Sequence, residues 1–163
     1  DAPNPGIYLE GGVPPHGAGA TGPASVGVQL PWLPEHRLLD AAPTPLYLDV
    51  FASNWHAPAQ GVGYSNFAQV GALAVLRYRL DQTRSPWFVE GGVGGSLTDR
   101  IYHSSARSFS TAFQFTEVLG VGYSFDEFGQ AEVSLRVQHF SNGNIKQPNP
   151  GETFVRLRGA YHF

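Results

Sequence analysis

The C-terminal quarter of this chain, Gln130 to Phe163, contains two segments in which apolar and polar side chains alternate. Aliphatic residues occupy every second position, here called the apolar parity, and polar residues occupy the positions between them, the polar parity. The two sets are Val133, Leu135 and Val137, and Glu132, Ser134, Arg136 and Gln138. Alternate residues of a β-strand project to opposite faces, so this segment has one apolar and one polar face. Residues Thr153 to Phe163 repeat the pattern, with Arg156 and Arg158 on the polar face and an aromatic residue in the last position. Strands of this kind are typical of β-barrels that span a membrane.

Eight segments carry this alternation. Six of them are Ile7–Val13, Ser25–Trp32, Leu46–Trp55, Phe67–Leu80, Trp87–Leu97 and Phe113–Phe125; the seventh ends in His139-Phe140-Ser141-Asn142, and the eighth is Thr153–Phe163. Longer connections, such as His56–Ser65, alternate with tighter turns, apart from a long second connection, Leu33–Pro45. We therefore predict an all-β fold, an eight-stranded antiparallel transmembrane β-barrel of the outer-membrane type, as a single domain over residues 1–163.

The composition favours a membrane barrel over a soluble one. A lipocalin-like barrel would turn the apolar parity inward, toward a ligand cavity. Charged residues make up only 14% of this chain, against about 25% in ordinary soluble domains. The chain contains no run of about 18 apolar residues, so no transmembrane helix is predicted. Glycines on the polar parity, such as Gly92 and Gly94, suit a narrow barrel filled by side chains. Aromatic residues near strand ends are expected to form interfacial girdles: Trp32, Trp55, Tyr78, Trp87, Tyr123, Tyr161 and Phe163.

Charge and cysteine content exclude several functions. The net charge of −3 gives no general attraction to nucleic acid, and the absence of cysteine excludes thiol chemistry. The histidines show no metal-ligand spacing, so neither a metal nor a cofactor is expected. Because the chain starts at Asp1 without Met, we expect a processed, exported protein. Arginines on the polar parity are expected to pair inside the barrel with Asp49, Glu90 and Glu132; they are Arg77, Arg79, Arg136, Arg156 and Arg158.

His139 and Ser141 are polar residues on the apolar face of the seventh strand. Their side chains lie roughly 7 Å apart along a strand, a gap that rotamers can close. A serine hydroxyl becomes a nucleophile when an imidazole accepts its proton, and the imidazole needs a carboxylate to fix its tautomer. A plainer interpretation is that both residues contact lipid headgroups. The pair alone slightly favours the contact with headgroups.

The run from His139 to Gly151, HFSNGNIKQPNPG, resembles the lipid A 3-O-deacylases of Gram-negative outer membranes. Those proteins carry His-aromatic-Ser-Asn, then Leu/Ile-Lys-Gln-Pro-Asn, shortly before a terminal strand. The close match covers about the last quarter of the chain. The resemblance implies that Ser141 is the nucleophile, that His139 is its base and that the substrate is the 3-O-linked hydroxyacyl ester of lipid A. It also implies a place in the bacterial outer membrane. If the N-terminus lies on the periplasmic side, the seventh strand runs outward and puts His139 and Ser141 at the level of the outer leaflet.

The acidic member of the triad is where this chain departs from the family. The family's Glu aligns without a gap with Thr153, while the acidic residue downstream of Ser141 is Glu152, on the polar parity. A bulge at the start of the last strand would be needed to turn Glu152 toward His139. Glu117 is a rival on the apolar parity of the sixth strand, and it lies directly opposite His139 if Tyr123 pairs with Val133. Resemblance ranks Glu152 first, and geometry makes Glu117 a near second.

The loop after Ser141 supplies the remaining candidates. Asn149 matches a family residue assigned to the oxyanion hole, and the backbone N–H groups of Gly143 or Asn144 can add to it. Lys146 is either a ligand of a lipid A phosphate or a solvated loop charge, and Asn-Gly and Asn-Pro-Gly form ordinary turns. The expected partner is lipid A, with a homodimer as an open alternative to a monomer. The competing functions are a non-enzymatic barrel for adhesion or structure and, more weakly, an acyltransferase.

Overall fold

The computed structural model describes residues 4–13, 24–33, 46–58, 64–81, 84–98, 113–126, 130–141 and 152–163. They form β1 (Gly6–Val13), β2 (Ala24–Leu33), β3 (Leu46–Pro58), β4 (Tyr64–Arg79), β5 (Trp87–Thr98), β6 (Phe113–Ser124), β7 (Ala131–Ser141) and β8 (Glu152–His162). Each strand pairs antiparallel with the next, and β1 pairs with β8, so that the sheet closes into a barrel. This confirms the predicted eight-stranded barrel. No helix in the described ranges is long and apolar enough to cross a membrane.

The third and fourth strands are longer than predicted. The ladder between β3 and β4 runs on to the pair Pro58↔Tyr64, inside the segment that we expected to be a loop. Apolar alternation fades there, while the backbone ladder does not depend on it. This hairpin therefore extends beyond the part of the strands that the hydrophobic pattern marks.

The outer wall carries the apolar parity, as predicted. Leu135, Val137, Leu157 and Tyr161 are exposed, and Val133 is half-buried on the same face. Leu119 and Leu157 expose 72% and 60% of their surface, which is unusual for leucine in a soluble protein and is expected of a wall that faces lipid. A lipocalin-like barrel would have turned these side chains inward.

Aromatic side chains mark one end of the barrel. This end, here called the turn end, holds the short connections 80–86 and 125–130, the start of β1 and the end of β8. Trp87 meets Tyr123 edge to face at 5.0 Å, and Tyr161 meets Phe163 at 5.9 Å between ring centroids. Exposed rings lie there: Trp32, Tyr78, Trp87, Phe125, Tyr161 and Phe163. They form the predicted girdle at this end, whereas the side chain of Trp55 lies outside the described residues.

Charged side chains fill much of the lumen, the interior of the barrel. Glu10 is the centre of one cluster: Arg136, Arg156 and Arg158 each lie between 2.5 and 3.1 Å from its carboxylate oxygens. Arg158 also contacts Asp49 at 2.8 Å. The prediction of lumen ion pairs is therefore confirmed for Arg158. Arg156 pairs with Glu10, which was not among the expected partners, because β1 and β8 are neighbours only once the barrel closes.

A second cluster lies nearer the turn end. Arg77 contacts Glu90 at 3.0 Å and Glu132 at 2.8 Å, and its guanidinium lies 3.9 Å from the centre of the Phe88 ring. Arg79 departs from the prediction. In the described ranges it donates to the backbone oxygens of Ser85 and Pro86 and to the Ser124 hydroxyl instead of a carboxylate. Arg79 ends β4, beyond the row in which the lumen acids lie.

Aromatic rings fill the lumen where glycine faces them across a ladder. Phe88 is opposite Gly122, and Tyr8 is opposite Gly27. A Cβ atom at either glycine would overlap the facing ring, so only glycine leaves space for it. The rings thus occupy volume that larger cross-strand neighbours would fill, as expected for a narrow barrel.

Removing the charge of Glu10 should destabilise the barrel. Glu10→Gln leaves buried guanidinium groups without their shared carboxylate, and breaking a buried pair in this way costs about 3–5 kcal/mol. We expect a lower unfolding midpoint in detergent micelles, measured by tryptophan fluorescence. Glu117→Gln makes the same chemical change on the outer wall and should not lower the midpoint. Equal midpoints for the two variants would contradict a stabilising role of the cluster.

An arginine in the middle of the outer wall should be costly in lipid. Leu157→Arg should lower the free energy of unfolding in bilayers by about 2–4 kcal/mol, because a cation then faces hydrocarbon. Val13→Arg, at the end of β1, should cost about 0–1 kcal/mol. The measurement is reversible folding into vesicles followed by denaturant titration. A Leu157→Arg barrel as stable as the parent would mean that this wall does not face lipid.

Candidate active site

Three residues of different chemistry lie in one outward row across β6, β7 and β8. Glu117 pairs with His139, and His139 pairs with Thr153. The ladder also pairs Tyr123 with Val133, which was the condition for placing Glu117 opposite His139. That geometric prediction is confirmed. His139 therefore has a carboxylate on one flank and a hydroxyl on the other.

The imidazole of His139 is hydrogen bonded to Thr153. Nδ1 of His139 lies 2.8 Å from Oγ1 of Thr153, and both side chains are half-buried. The bond occupies Nδ1 and leaves Nε2 for another partner. Sequence reasoning placed Thr153 on the outward parity beside the pair but did not predict this bond. The signal was the register of the last hairpin, which pairs Thr153 with His139.

Ser141 is the last residue of β7, two residues beyond His139 on the same face. It is half-buried and pairs with Phe115 on β6. Among the described residues, the hydrogen bond of the imidazole is to Thr153 and none joins it to Ser141. Hydroxyl–imidazole contacts of catalytic pairs are often long without substrate and tighten when the substrate binds, so this spacing is compatible with a nucleophile and its base.

Contacts in the lumen anchor the part of β7 that carries His139 and Ser141. Phe140, between His139 and Ser141, points into the lumen and is 1% exposed, and its ring meets that of Phe154 at 6.1 Å between centroids. Gln138 donates to Thr116 at 2.9 Å and accepts from Arg156 at 2.7 Å. Because residues on either side of a buried position must point outward, these contacts fix the direction of His139 and Ser141.

The two candidate acids, Glu117 and Glu152, occupy different positions relative to His139 in the strand pairing. Glu152 pairs with Phe140, one position from the partner of His139, and the ladder between β7 and β8 runs regularly from Ala131 to Phe140. The bulge that would turn Glu152 outward is not present in this ladder. The side chain of Glu152 lies outside the described residues. Glu117 is exposed on the outer wall, on the same face as His139.

The surroundings of the row are apolar. Phe113, Phe115 and Leu119 are exposed on β6, and Phe113 packs edge to face on Phe115 at 5.1 Å. Low polarity strengthens electrostatic interactions between the groups that lie within it. Within the described ranges no group of three His, Cys, Asp or Glu residues is placed to hold a metal ion. The predicted site residues Asn144, Lys146 and Asn149 lie outside the described residues.

Fold and site together define a class. The chain is an outer-membrane type of β-barrel that carries serine, histidine and a carboxylate on its outer wall, near the end of β7. A family model described as "Lipid A 3-O-deacylase (PagL)" matches residues 22–162. The chain therefore belongs to the lipid A 3-O-deacylase family, as its C-terminal motif indicated.

Individual relatives agree with this assignment. The chain is 28% identical over 131 residues to the lipid A deacylase PagL of Bordetella bronchiseptica, covering 72% of this chain and 70% of that protein. The crystal structure of the outer membrane enzyme PagL has a TM-score of 0.74 at 16% identity and covers 97% of this chain and 99% of its own. Neisserial surface protein A has a TM-score of 0.60 at 13% identity, covering 98% and 95%. At these identities the two structures show the fold alone.

Proposed function

We propose that this protein is a lipid A 3-O-deacylase that hydrolyses the ester of the acyl chain at position 3 of lipid A. The observation that carries the proposal is the position of His139 and Ser141, two residues apart on the outward face of β7. Family membership supports the substrate, and the apolar wall around the pair supports a lipid. A substrate embedded in the membrane can reach an outward-facing pair without leaving the bilayer.

In the proposed reaction Ser141 is the nucleophile. Its Oγ attacks the ester carbon while its proton passes to Nε2 of His139, and the carbonyl oxygen becomes an oxyanion. The intermediate then expels the 3-oxygen of lipid A, which takes the proton back from His139. The acyl group stays on Ser141 as an ester. A water molecule, deprotonated by His139, hydrolyses that ester, releases the fatty acid and restores the serine.

The proposed location is the outer membrane, with the site at the outer leaflet. Barrels of this type have short turns on the periplasmic side and longer loops outside. At the turn end the connections 80–86 and 125–130 are short and 34–45 is long. At the opposite end, beside Ser141, 14–23, 99–112 and 142–151 are longer and 59–63 is short. This distribution supports an outward-facing site. The loop residues Asn144, Lys146 and Asn149 keep their proposed roles, namely donors to the oxyanion and a ligand for a lipid A phosphate.

The register favours Glu117 as the acidic partner of His139. A carboxylate beside the imidazole stabilises the imidazolium that forms when Ser141 loses its proton. Glu117 pairs directly with His139, and directly opposed residues have Cβ atoms about 4.5–5.5 Å apart. An ionised carboxylate on a lipid-facing wall is costly without such a partner. Glu152, which the family resemblance favours, is the alternative.

Removing the nucleophile or its base should abolish hydrolysis. We expect Ser141→Ala and His139→Asn each to lose several orders of magnitude in rate, and the double variant to be little worse, because the two residues act as a unit. The measurement is mass spectrometry of lipid A after incubation with purified protein, with unchanged heat-stable folding as the control. Undiminished deacylation by Ser141→Ala would refute its role. A wild-type protein without activity would favour the non-enzymatic barrel.

The two candidate acids are separated by matched amide variants. Glu117→Gln should lower the rate of deacylation by about 10-fold or more, because the imidazolium loses a negative charge beside it. Glu152→Gln should retain activity within about 3-fold of wild type, the effect of less than one ordinary hydrogen bond. The assay is initial rate on lipid A in mixed micelles. The reverse pattern would assign the role to Glu152.

A further inference from the structure

The group in contact with the imidazole of His139 is a neutral hydroxyl. Thr153 Oγ1 lies 2.8 Å from Nδ1, at the position where a serine-hydrolase triad places its carboxylate. A hydroxyl offers one donor and two acceptor lone pairs, and it carries no charge. It can therefore hold the imidazole in place, either by accepting from Nδ1–H or by donating to a bare Nδ1, but it cannot neutralise the imidazolium.

The tautomer follows from what the reaction requires. If Nε2 is to accept the proton of Ser141, Nδ1 must carry the hydrogen, and that N–H then donates to Thr153 Oγ1. In the other tautomer the hydroxyl of Thr153 would donate to Nδ1, and the hydrogen on Nε2 would leave the ring inactive as a base toward Ser141. The contact seen in the structure holds the ring through Nδ1 and leaves Nε2 for Ser141.

Thr153 is held firmly enough for this task. Its β-branched side chain has few χ1 options. The next residue, Phe154, is completely buried in the lumen against Phe140, and the β7–β8 ladder is regular on both sides of Phe154. Backbone and side chain therefore direct Oγ1 at His139 before any substrate is present.

We propose that Thr153 is the positioning residue of His139, and that the two tasks of a triad carboxylate are divided between two strands. Thr153 on β8 fixes the ring orientation, and Glu117 on β6 supplies the negative charge. The catalytic meaning of this division rests on the proposed function. The hydrogen bond itself does not, so it can be tested without lipid A.

The direct test is the hydrogen bond at Nδ1 of His139. Protein labelled with ¹⁵N in histidine is studied by NMR in detergent micelles, and the His139 signals are identified by their loss in His139→Asn. Wild type and Thr153→Ser should show the Nδ1 chemical shift of a hydrogen-bonded nitrogen. Thr153→Val, which keeps the shape and removes the hydroxyl, should move that shift. Identical His139 spectra for wild type and Thr153→Val would overturn the proposal.

Activity gives the second readout. Thr153→Val should lower kcat about 10- to 100-fold, the effect of a hydrogen bond to a group that becomes charged, whereas Thr153→Ser should stay within about 3-fold of wild type. Unfolding midpoints should match, which separates positioning from folding. In a Thr153→Glu background, Glu117→Gln should lower kcat by a smaller factor than in wild type, because one carboxylate then performs both tasks.

The outcomes separate the two proposals. A fully active Thr153→Val beside an inactive Ser141→Ala would remove the role of Thr153 and leave the deacylase intact. A wild-type protein that cleaves no lipid A, but whose His139 Nδ1 signal depends on Thr153, would overturn the proposed function and retain the contact. If Glu117→Gln lowers kcat by the same factor in a Thr153→Glu background as in wild type, the division of tasks is refuted.

Discussion

The contact on which this barrel depends is that of Glu10 with three arginines inside the lumen. Closing the sheet brings β1 against β8 and so brings Glu10 to Arg156 and Arg158. The charges that alternate along each strand then satisfy one another inside, which leaves the outer wall free to be apolar. A polar lumen and an apolar exterior are two results of the same period-two pattern. Any reactive group that falls on the apolar parity must therefore be displayed to the membrane.

The same alternation explains why a site on an outer wall can be well ordered. Phe140 and Phe154 are locked in the lumen, and their neighbours His139, Ser141 and Thr153 are directed outward as a result. Precision that enzymes often obtain from a cleft comes here from packing on the opposite side of a single sheet. In the proposed reaction the substrate binds to one face, and rigidity is provided by the other.

The alternation of apolar and polar residues and the lengths of the turns can be read directly from the sequence, because both are local properties. They predicted the strand number, the inward and outward faces and the pairing of Glu117 with His139. Properties that arise only after closure were not predicted. Arg156 reaches Glu10 because the first and last strands meet, and Arg79 falls beyond the row of lumen acids. The bond between Thr153 and His139 needed side-chain geometry as well as register. The extension of β3 and β4 to Pro58 and Tyr64 lies where the hydrophobic pattern has ended but backbone pairing continues.

A site on the exterior wall changes the measure of substrate concentration that determines the rate of encounter. In the proposed reaction the substrate arrives by lateral diffusion within the membrane, so the quantity that sets the encounter rate is the number of target lipids per unit area of membrane. Diluting the aqueous suspension leaves that density unchanged, whereas adding inert lipid or detergent lowers it. The proposed catalysis at the Ser141 face should therefore follow surface-dilution behaviour, with turnover governed by the mole fraction of substrate in the bilayer.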